Sequence, residues 1–99
     1  MNQAAYYSAT MQYLKAVKAI GTTDSDKVMA EMKKMKINDF FVKGGYVRND
    51  GVMIHPMYVM QVKTPAESKY PWDYYKIAKV IPAADAFPPV SDKCPLVKK

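Results

Sequence analysis

Of the side chains that carry most nucleophilic chemistry, this sequence has one histidine, His55, and one cysteine, Cys94. A Cys–His nucleophile needs the two within hydrogen-bond reach, and here they stand on either side of a proline-rich stretch. A single histidine excludes a two-imidazole metal site, and a single cysteine excludes an internal disulfide or a multi-cysteine zinc site. Asp39 with Asp50, or Glu31 with Glu67, are the carboxylate pairs to consider. No spacing places either pair on one face of one element, so they read as caps and solvated acids. One soft-donor row remains: Met53-x-His55-x-Met57. Side chains alternate along a strand, so two thioethers and an imidazole would share a face, a set that suits Cu(I). Met29-x-x-Met32-x-x-Met35 offers a second row at helical spacing. Methionine is also the adaptable filler of irregular cores. Eight of them make chance rows expected, and Pro56 interrupts the first. A Met/His copper carrier is therefore the lesser alternative. The inventory argues against an enzyme, and no cofactor is expected.

Nucleic-acid binding fares no better. Phe40-Phe41-x-Lys43-Gly44-Gly45-Tyr46-x-Arg48 interleaves aromatics, glycines and bases in the manner of an RNA-stacking strand. Its lysines are sparse, however, and Asp39 and Asp50 flank it, so two core phenylalanines before a turn is the plainer reading. The formal charge of +6 is spread evenly, with eight basic and five acidic residues up to Asp50 and seven and four beyond it. Charge of that kind favours solubility and mild anion preference over a nucleic-acid footprint.

These residues have to be held by a small set of elements. Gln3 to Ile20 contains good helix formers without Pro or Gly. Tyr7, Met11, Leu14 and Val17 recur at spacings of four and three, which predicts one apolar helix face. Gly21 stands where a left-handed C-cap is favoured. Thr22-Thr23-Asp24-Ser25-Asp26 offers N-caps for a second helix with Val28, Met32 and Met35 on one face and Lys33, Lys34 and Lys36 at its end. The short connection predicts an antiparallel αα-hairpin. Tyr46-Val47-Arg48, the Asn49-Asp50-Gly51 turn and the β-rich run Val52 to Lys63 predict a β-hairpin of a short and a long strand, with Pro56 at a bulge or edge. From Pro65 on, six prolines punctuate a tail that carries Trp72, Tyr74, Tyr75, Phe87 and Leu96. Pro71 is placed to start a helical turn, and the rest reads as an extended segment wrapped over a surface. The fold class is thus α+β: an αα-hairpin, a β-hairpin and an extended Pro-rich tail. On these elements alone, the alternative ahead of the copper carrier is a stand-alone small α+β protein-interaction module whose aromatic tail recognises a partner.

The length sets a limit. Ninety-nine residues make one small domain, and a chain of that size removes only about 60–65% of its extended surface from water. Met57-Tyr58-Val59-Met60-Gln61-Val62 is nearly continuously apolar, as in a strand covered on both faces. Two helices and a hairpin have little material for such cover. No apolar run approaches the ~18–20 residues that a membrane span needs, so no membrane insertion is expected. Met1-Asn2-Gln3-Ala4 shows neither the basic nor the apolar region of a signal peptide.

The order of these pieces resembles a known family. Tyr7-Ser8-Ala9, Tyr13-Leu14-Lys15-Ala16-Val17, Gly21-Thr22-Thr23-Asp24 and Asp26-x-Val28 come first. Asn38-Asp39-Phe40-Phe41, Gly45-Tyr46-Val47-Arg48-x-Asp50-Gly51 and the run Met57 to Lys63 follow. In that order they are similar to the C-terminal quarter of a periplasmic solute-binding protein of an ABC transporter, of the type I, branched-chain amino acid-binding class. The stretch Glu67-Ser68-Lys69-x-Pro71-Trp72-Asp73-Tyr74-Tyr75-Lys76 through Cys94-Pro95-Leu96 resembles one proteobacterial branch of that class. The resemblance implies part of a two-lobed α/β fold that closes around a solute. Residues 1–36 would be a helical piece of the first lobe, 37–64 the last crossover and a hairpin of the second, and 65–99 a C-terminal tail. It implies a periplasmic location, a small-molecule solute and an ABC permease as partners of the whole protein, and a chain that does not bind ligand alone. Tyr6 and Tyr7 are the residues it brings near the cleft, although packing at a helix start, or one wall of an anion site, would also account for two phenols there. Cys94 would pair with an upstream cysteine, as suits an oxidising periplasm. A chain of this kind lacks the partners for its apolar faces, so the isolated form is expected to be a homo-oligomer.

Overall fold

The computed structural model describes residues 2–97. Met1 at the start of the first segment and Lys98–Lys99 at the end of the last lie outside the described residues. Helix α1 runs Asn2–Ile20 and stops at Gly21, whose positive φ of 67° lets its amide return to the Val17 carbonyl at 2.8 Å. Helix α2 runs Ser25–Lys34, and the Asp24 side chain caps it by accepting the Lys27 amide at 3.0 Å. Asp26 in its first turn and Lys33 and Lys34 in its last oppose the helix dipole.

The predicted face of α1 is not the one it buries. Ser8, Gln12 and Ala16 are buried, while Tyr7 and Leu14 are about half exposed. Two of the three buried side chains, Ser8 and Ala16, are small, and Met11 and Val17 lie half-buried at the edge of that face while Tyr7 and Leu14 are turned outward. The Gln12 amide has no hydrogen-bond partner among the described residues.

Strands β1 (Ile37–Asn38), β2 (Lys43–Val47) and β3 (Met53–Ile54) form an antiparallel sheet in the order β1-β2-β3. Its core is Ile37, Val42 and Val47, with Met32, Phe41 and Met53 packed against it. The turn from β2 to β3 falls at Asn49-Asp50-Gly51 as predicted. There Arg48 grips Asp50 through two parallel hydrogen bonds of 2.9 and 2.7 Å, and its third nitrogen donates to the Pro88 carbonyl at 2.9 Å. That last bond ties the C-terminal stretch to the sheet.

The predicted long strand is two strands in two sheets. Pro56 separates β3 from β4 (Met57–Val62), and β4 pairs with β5 (Tyr75–Ile81) as an antiparallel ribbon. The stretch read as an extended tail therefore supplies a strand, Tyr75-Lys76-Ile77-Ala78-Lys79-Val80-Ile81, which follows the turn at Pro71-Trp72 and ends before Pro82. Pro71-Trp72-Asp73 is a turn rather than the start of a helix, with Trp72 at a φ of 73°. A short helix α3 (Ala83–Ala86) follows β5. No helix among the described residues is long and apolar enough to cross a membrane.

The molecule is extended, 53 × 32 × 18 Å, with a radius of gyration of 16.6 Å, against about 13 Å for a compact chain of 100 residues.

Candidate functional site

Where α1, the β1–β2 connection and the β4–β5 ribbon meet, Ala4, Phe40, Phe41, Tyr58, Met60 and Ile77 line an open groove of about 370 Å³. Asp39 positions its middle wall. One carboxylate oxygen accepts the amides of Phe41 and Val42 at 2.9 and 2.7 Å, and the other accepts the Ser8 hydroxyl of α1 at 2.6 Å. The Asp39 amide closes the loop on the Val42 carbonyl at 2.8 Å. Burial pushes the Asp39 carboxyl up, but the Ser8 hydroxyl, the two amides and nearby Lys15 together hold it below its ordinary value. The loop is thereby pinned to α1. Phe41 turns into the core and Phe40 turns out, 70% exposed, its ring edge-on to Tyr7 with centroids 5.0 Å apart.

Tyr6 and Tyr7 do not converge. Successive helix residues point about 100° apart, and only Tyr7 reaches Phe40. Tyr6 is 76% exposed beside a shallow depression formed with Asn2, Ala5 and Ala9. Phe40, read from sequence as a core residue, is surface lining instead, because Asp39 spends the loop's inward direction on Phe41 and Val42. Phe40, Tyr58, Met60 and Ile77 come from three separate segments, and no spacing marks them as one site.

The soft-donor row is engaged in packing. Met53 lies against the Ile37–Val42–Val47 core. The His55 ring sits between Phe41 and Phe87, at centroid distances of 5.2 and 5.3 Å, and its Nδ1 is 2.9 Å from the Pro56 carbonyl oxygen, as fits an Nδ1–H donor. Met57 belongs to the other sheet. Among the described residues no three His, Cys, Asp or Glu side chains are grouped to hold a metal ion. Cys94 is half-buried and free.

A second feature is the loop from Lys63 to Tyr74 that joins β4 to β5. Buried Asp73 accepts the Lys63 ammonium at 2.6 Å and the Lys69 amide at 3.0 Å. Glu67 accepts the Thr64 amide and hydroxyl, at 2.9 and 3.1 Å, and the Lys76 ammonium. Lys76 and the Thr64 donors hold Glu67 down to about 2, and Lys63 with the Lys69 amide holds Asp73 below its ordinary value. Both carboxyls are depressed, so the stability they contribute is present above their unfolded values, near pH 4, and is lost as pH falls through the folded ones. Trp72, the only tryptophan, stands 80% exposed on this loop and reports on it. An acid titration followed by tryptophan fluorescence is expected to show a transition between about pH 4 and pH 2 that Glu67→Gln moves toward neutral pH. An unchanged midpoint in that variant would show that these carboxylates do not hold the loop.

Residues 1–69 match the sequence profile of the family described as periplasmic binding protein. A crystal structure of a periplasmic binding protein from Burkholderia mallei is 59% identical, with a TM-score of 0.81 over 95% of this chain and 25% of that one. A branched chain amino acid ABC transporter periplasmic ligand-binding protein from Burkholderia xenovorans is 43% identical, with a TM-score of 0.83 over 89% of this chain and 24% of that one. No curated protein matches the sequence. The chain spans about a quarter of the length of the solved structures it resembles. With residues 1–69 matching the family profile and nine-tenths of the chain or nearly so superposing on two solved relatives, the chain belongs to the periplasmic binding protein family.

Proposed function

We propose that this chain is one portion of the solute-binding component of an ABC uptake system for amino acids or related small organic acids, acting in the periplasm by binding and not by catalysis. The observation that carries this reading is the groove between the helical half and the β4–β5 ribbon, in a chain with this family membership. In that reading residues 1–36 belong to one lobe, 37–64 cross into and begin the other, and 65–99 complete it. The solute lies where the halves face each other, with Phe40 on its wall, Tyr7 edge-on against Phe40 and Tyr6 at its margin.

The groove's chemistry limits what it does alone. Its lining is aliphatic and aromatic, with the Tyr58 hydroxyl as the one polar side-chain group and no charged residue. Such a wall accepts an apolar side chain, but a free amino acid also brings an ammonium and a carboxylate, and desolvating these without partners is costly. The isolated chain is therefore inert toward solute, and the rest of a two-lobed protein, together with its permease, supplies what is missing. Uncovered apolar surface leads the isolated chain to associate with itself.

A thermal-shift panel with leucine, isoleucine, valine and phenylalanine at millimolar concentration tests the first part. The expected result is a melting temperature constant within about 1 °C, since a ligand stabilises only in proportion to its occupancy. A clear rise with leucine would overturn the claim that the chain is inert alone. Grafting the chain in place of the matching quarter of the Burkholderia xenovorans protein tests the second. The graft is expected to bind leucine, and Phe40→Ala within it to weaken that binding about tenfold, roughly the loss of one aromatic contact.

A further inference from the structure

We infer that the C-terminal stretch from Pro82 to Val97 is a strap: it recrosses the joint between the β4–β5 ribbon and the rest of the chain, and its hold there limits how far the ribbon swings. The inference goes beyond the function proposed, since it concerns the mechanics of this chain whether or not a solute enters the groove.

The first observation is that the described residues form two packed bodies. Helix α1 packs on α2, α2 packs on β2, and Met32 of α2 joins the Ile37–Val42–Val47 core of the β1–β2–β3 sheet. Strands β4 and β5 form a separate sheet and pack closely only on each other. The groove lies between the two bodies, with Ala4, Phe40 and Phe41 on one side and Tyr58, Met60 and Ile77 on the other. A ribbon seated on so little turns at its connections, as hinged bodies do at a few residues between elements.

The second observation is where those connections stand. The chain leaves β3 at Ile54 and enters β4 at Met57, so His55-Pro56 is the way out. Met57, which opens β4, pairs with Ile81, which ends β5, and Pro82 follows. The way back thus starts beside the way out, with a proline in each, and proline adds no ladder donor that would stiffen the joint.

The third observation is how the returning stretch is fastened to the first body. The Phe87 ring meets His55 edge-on at 5.3 Å, and His55 rests on Phe41 at 5.2 Å. The Pro88 carbonyl accepts Arg48 at 2.9 Å, and Arg48 is itself fixed by Asp50. Leu96 and Val97 line a recess of about 430 Å³ with Met29, Ala30 and Lys33 of α2 and with Asn49, whose carbonyl accepts the Lys33 ammonium at 3.1 Å. Both members of each fastener belong to this chain, so the strap is complete without a covering partner.

Single-molecule fluorescence transfer tests the strap at a dilution where each copy is alone, so self-association does not enter. Dyes sit at exposed Lys18→Cys on α1 and Lys79→Cys on β5, with Cys94→Ser removing the native thiol. The parent is expected to show one dominant distance and a small swung population. Phe87→Ala should raise that population about tenfold, the loss of one aromatic contact, and Leu96→Asp, which puts a charge in the recess, should raise it as well. Gly-Gly inserted between Ala86 and Phe87 keeps every fastener and gives slack, so it should spread the distances with circular dichroism unchanged. That insertion decides the matter should either substitution unfold the chain. Val90→Ala, on the strap but at none of its fasteners, should change nothing. A parent whose distances are already broad, or fastener and insertion variants that match the parent, overturn the strap. A Val90→Ala effect equal to that of Phe87→Ala overturns the assignment to these fasteners. None of these readouts uses a solute, so their failure leaves the reading of the groove standing.

Discussion

Asp39→Ala is expected to destabilise the protein by about 2–3 kcal/mol, because three hydrogen bonds end on this carboxylate and each contributes about 1 kcal/mol net. In a chain of 99 residues that lowers the melting temperature by about 10–20 °C. The loss is concentrated because the stranded partners are poorly placed to find water. Ser8 is fully buried on α1, and Val42, whose amide is among those stranded, is 1% exposed. Ser8→Ala removes only the bond to the helix and leaves the two amide bonds, so it is expected to cost about 1 kcal/mol. The order of the two variants separates pinning to α1 from shaping of the loop. Asp39 titrates below its ordinary value, so its contribution is whole above about pH 4 and is lost as pH falls through the lowered folded value. Stability of the parent should decline in that window, and Asp39→Ala should decline less. Denaturant melts at pH 7 and pH 3, with nuclear Overhauser contacts between Tyr7 and Phe40, provide the readout. If the alanine variant melts within 2 °C of the parent and keeps those contacts, Asp39 does not position the groove wall.

What could be read from the sequence was what is local. The C-cap at Gly21, the N-cap at Asp24 and the turn at Asn49-Asp50-Gly51 are each encoded within four residues, and the structure has all three. Partner choice was not local. β4 pairs across the Lys63–Tyr74 loop with a strand whose own apolar residues lie among prolines, and that loop is closed by Asp73 and Glu67, acids with no periodicity to mark them. The buried side of α1 was misread for a related reason. Hydropathy selects Tyr7 and Leu14, yet the side that packs on the neighbouring elements is that of Ser8, Gln12 and Ala16. The groove was not legible: Tyr7 is not in its lining and only touches Phe40, and Phe40 was assigned to the core, because only its neighbour Asp39, through bonds to the amides of Phe41 and Val42, determines which of two adjacent phenylalanines turns outward.

The same sheet contains the position where the smallest change is expected to have a large effect. Gly45→Ala adds one methyl group, and its Cβ would stand 2.5 Å from Val42 Cγ1, 3.0 Å from the Ile54 carbonyl oxygen and 3.4 Å from Ile37 Cβ. The first contact is with a side chain, but Val42 is β-branched and 1% exposed, so its rotamer cannot change without moving the core. The second is with backbone across the β2–β3 pairing and has no soft response. Overpacking of this kind costs about 1–3 kcal/mol, of which the reduced freedom of the unfolded chain offsets about 0.4–1 kcal/mol. A net loss of about 1–2 kcal/mol is expected by denaturant melts. Val42→Ala alone opens a void at the same point and also destabilises. If the clash is with Val42 Cγ1, the two changes relieve each other. The double variant should then be more stable than the sum of the singles predicts by about 1 kcal/mol. Strict additivity would place the strain at the Ile54 carbonyl instead, and a Gly45→Ala variant as stable as the parent would show that the sheet has room where this structure leaves none.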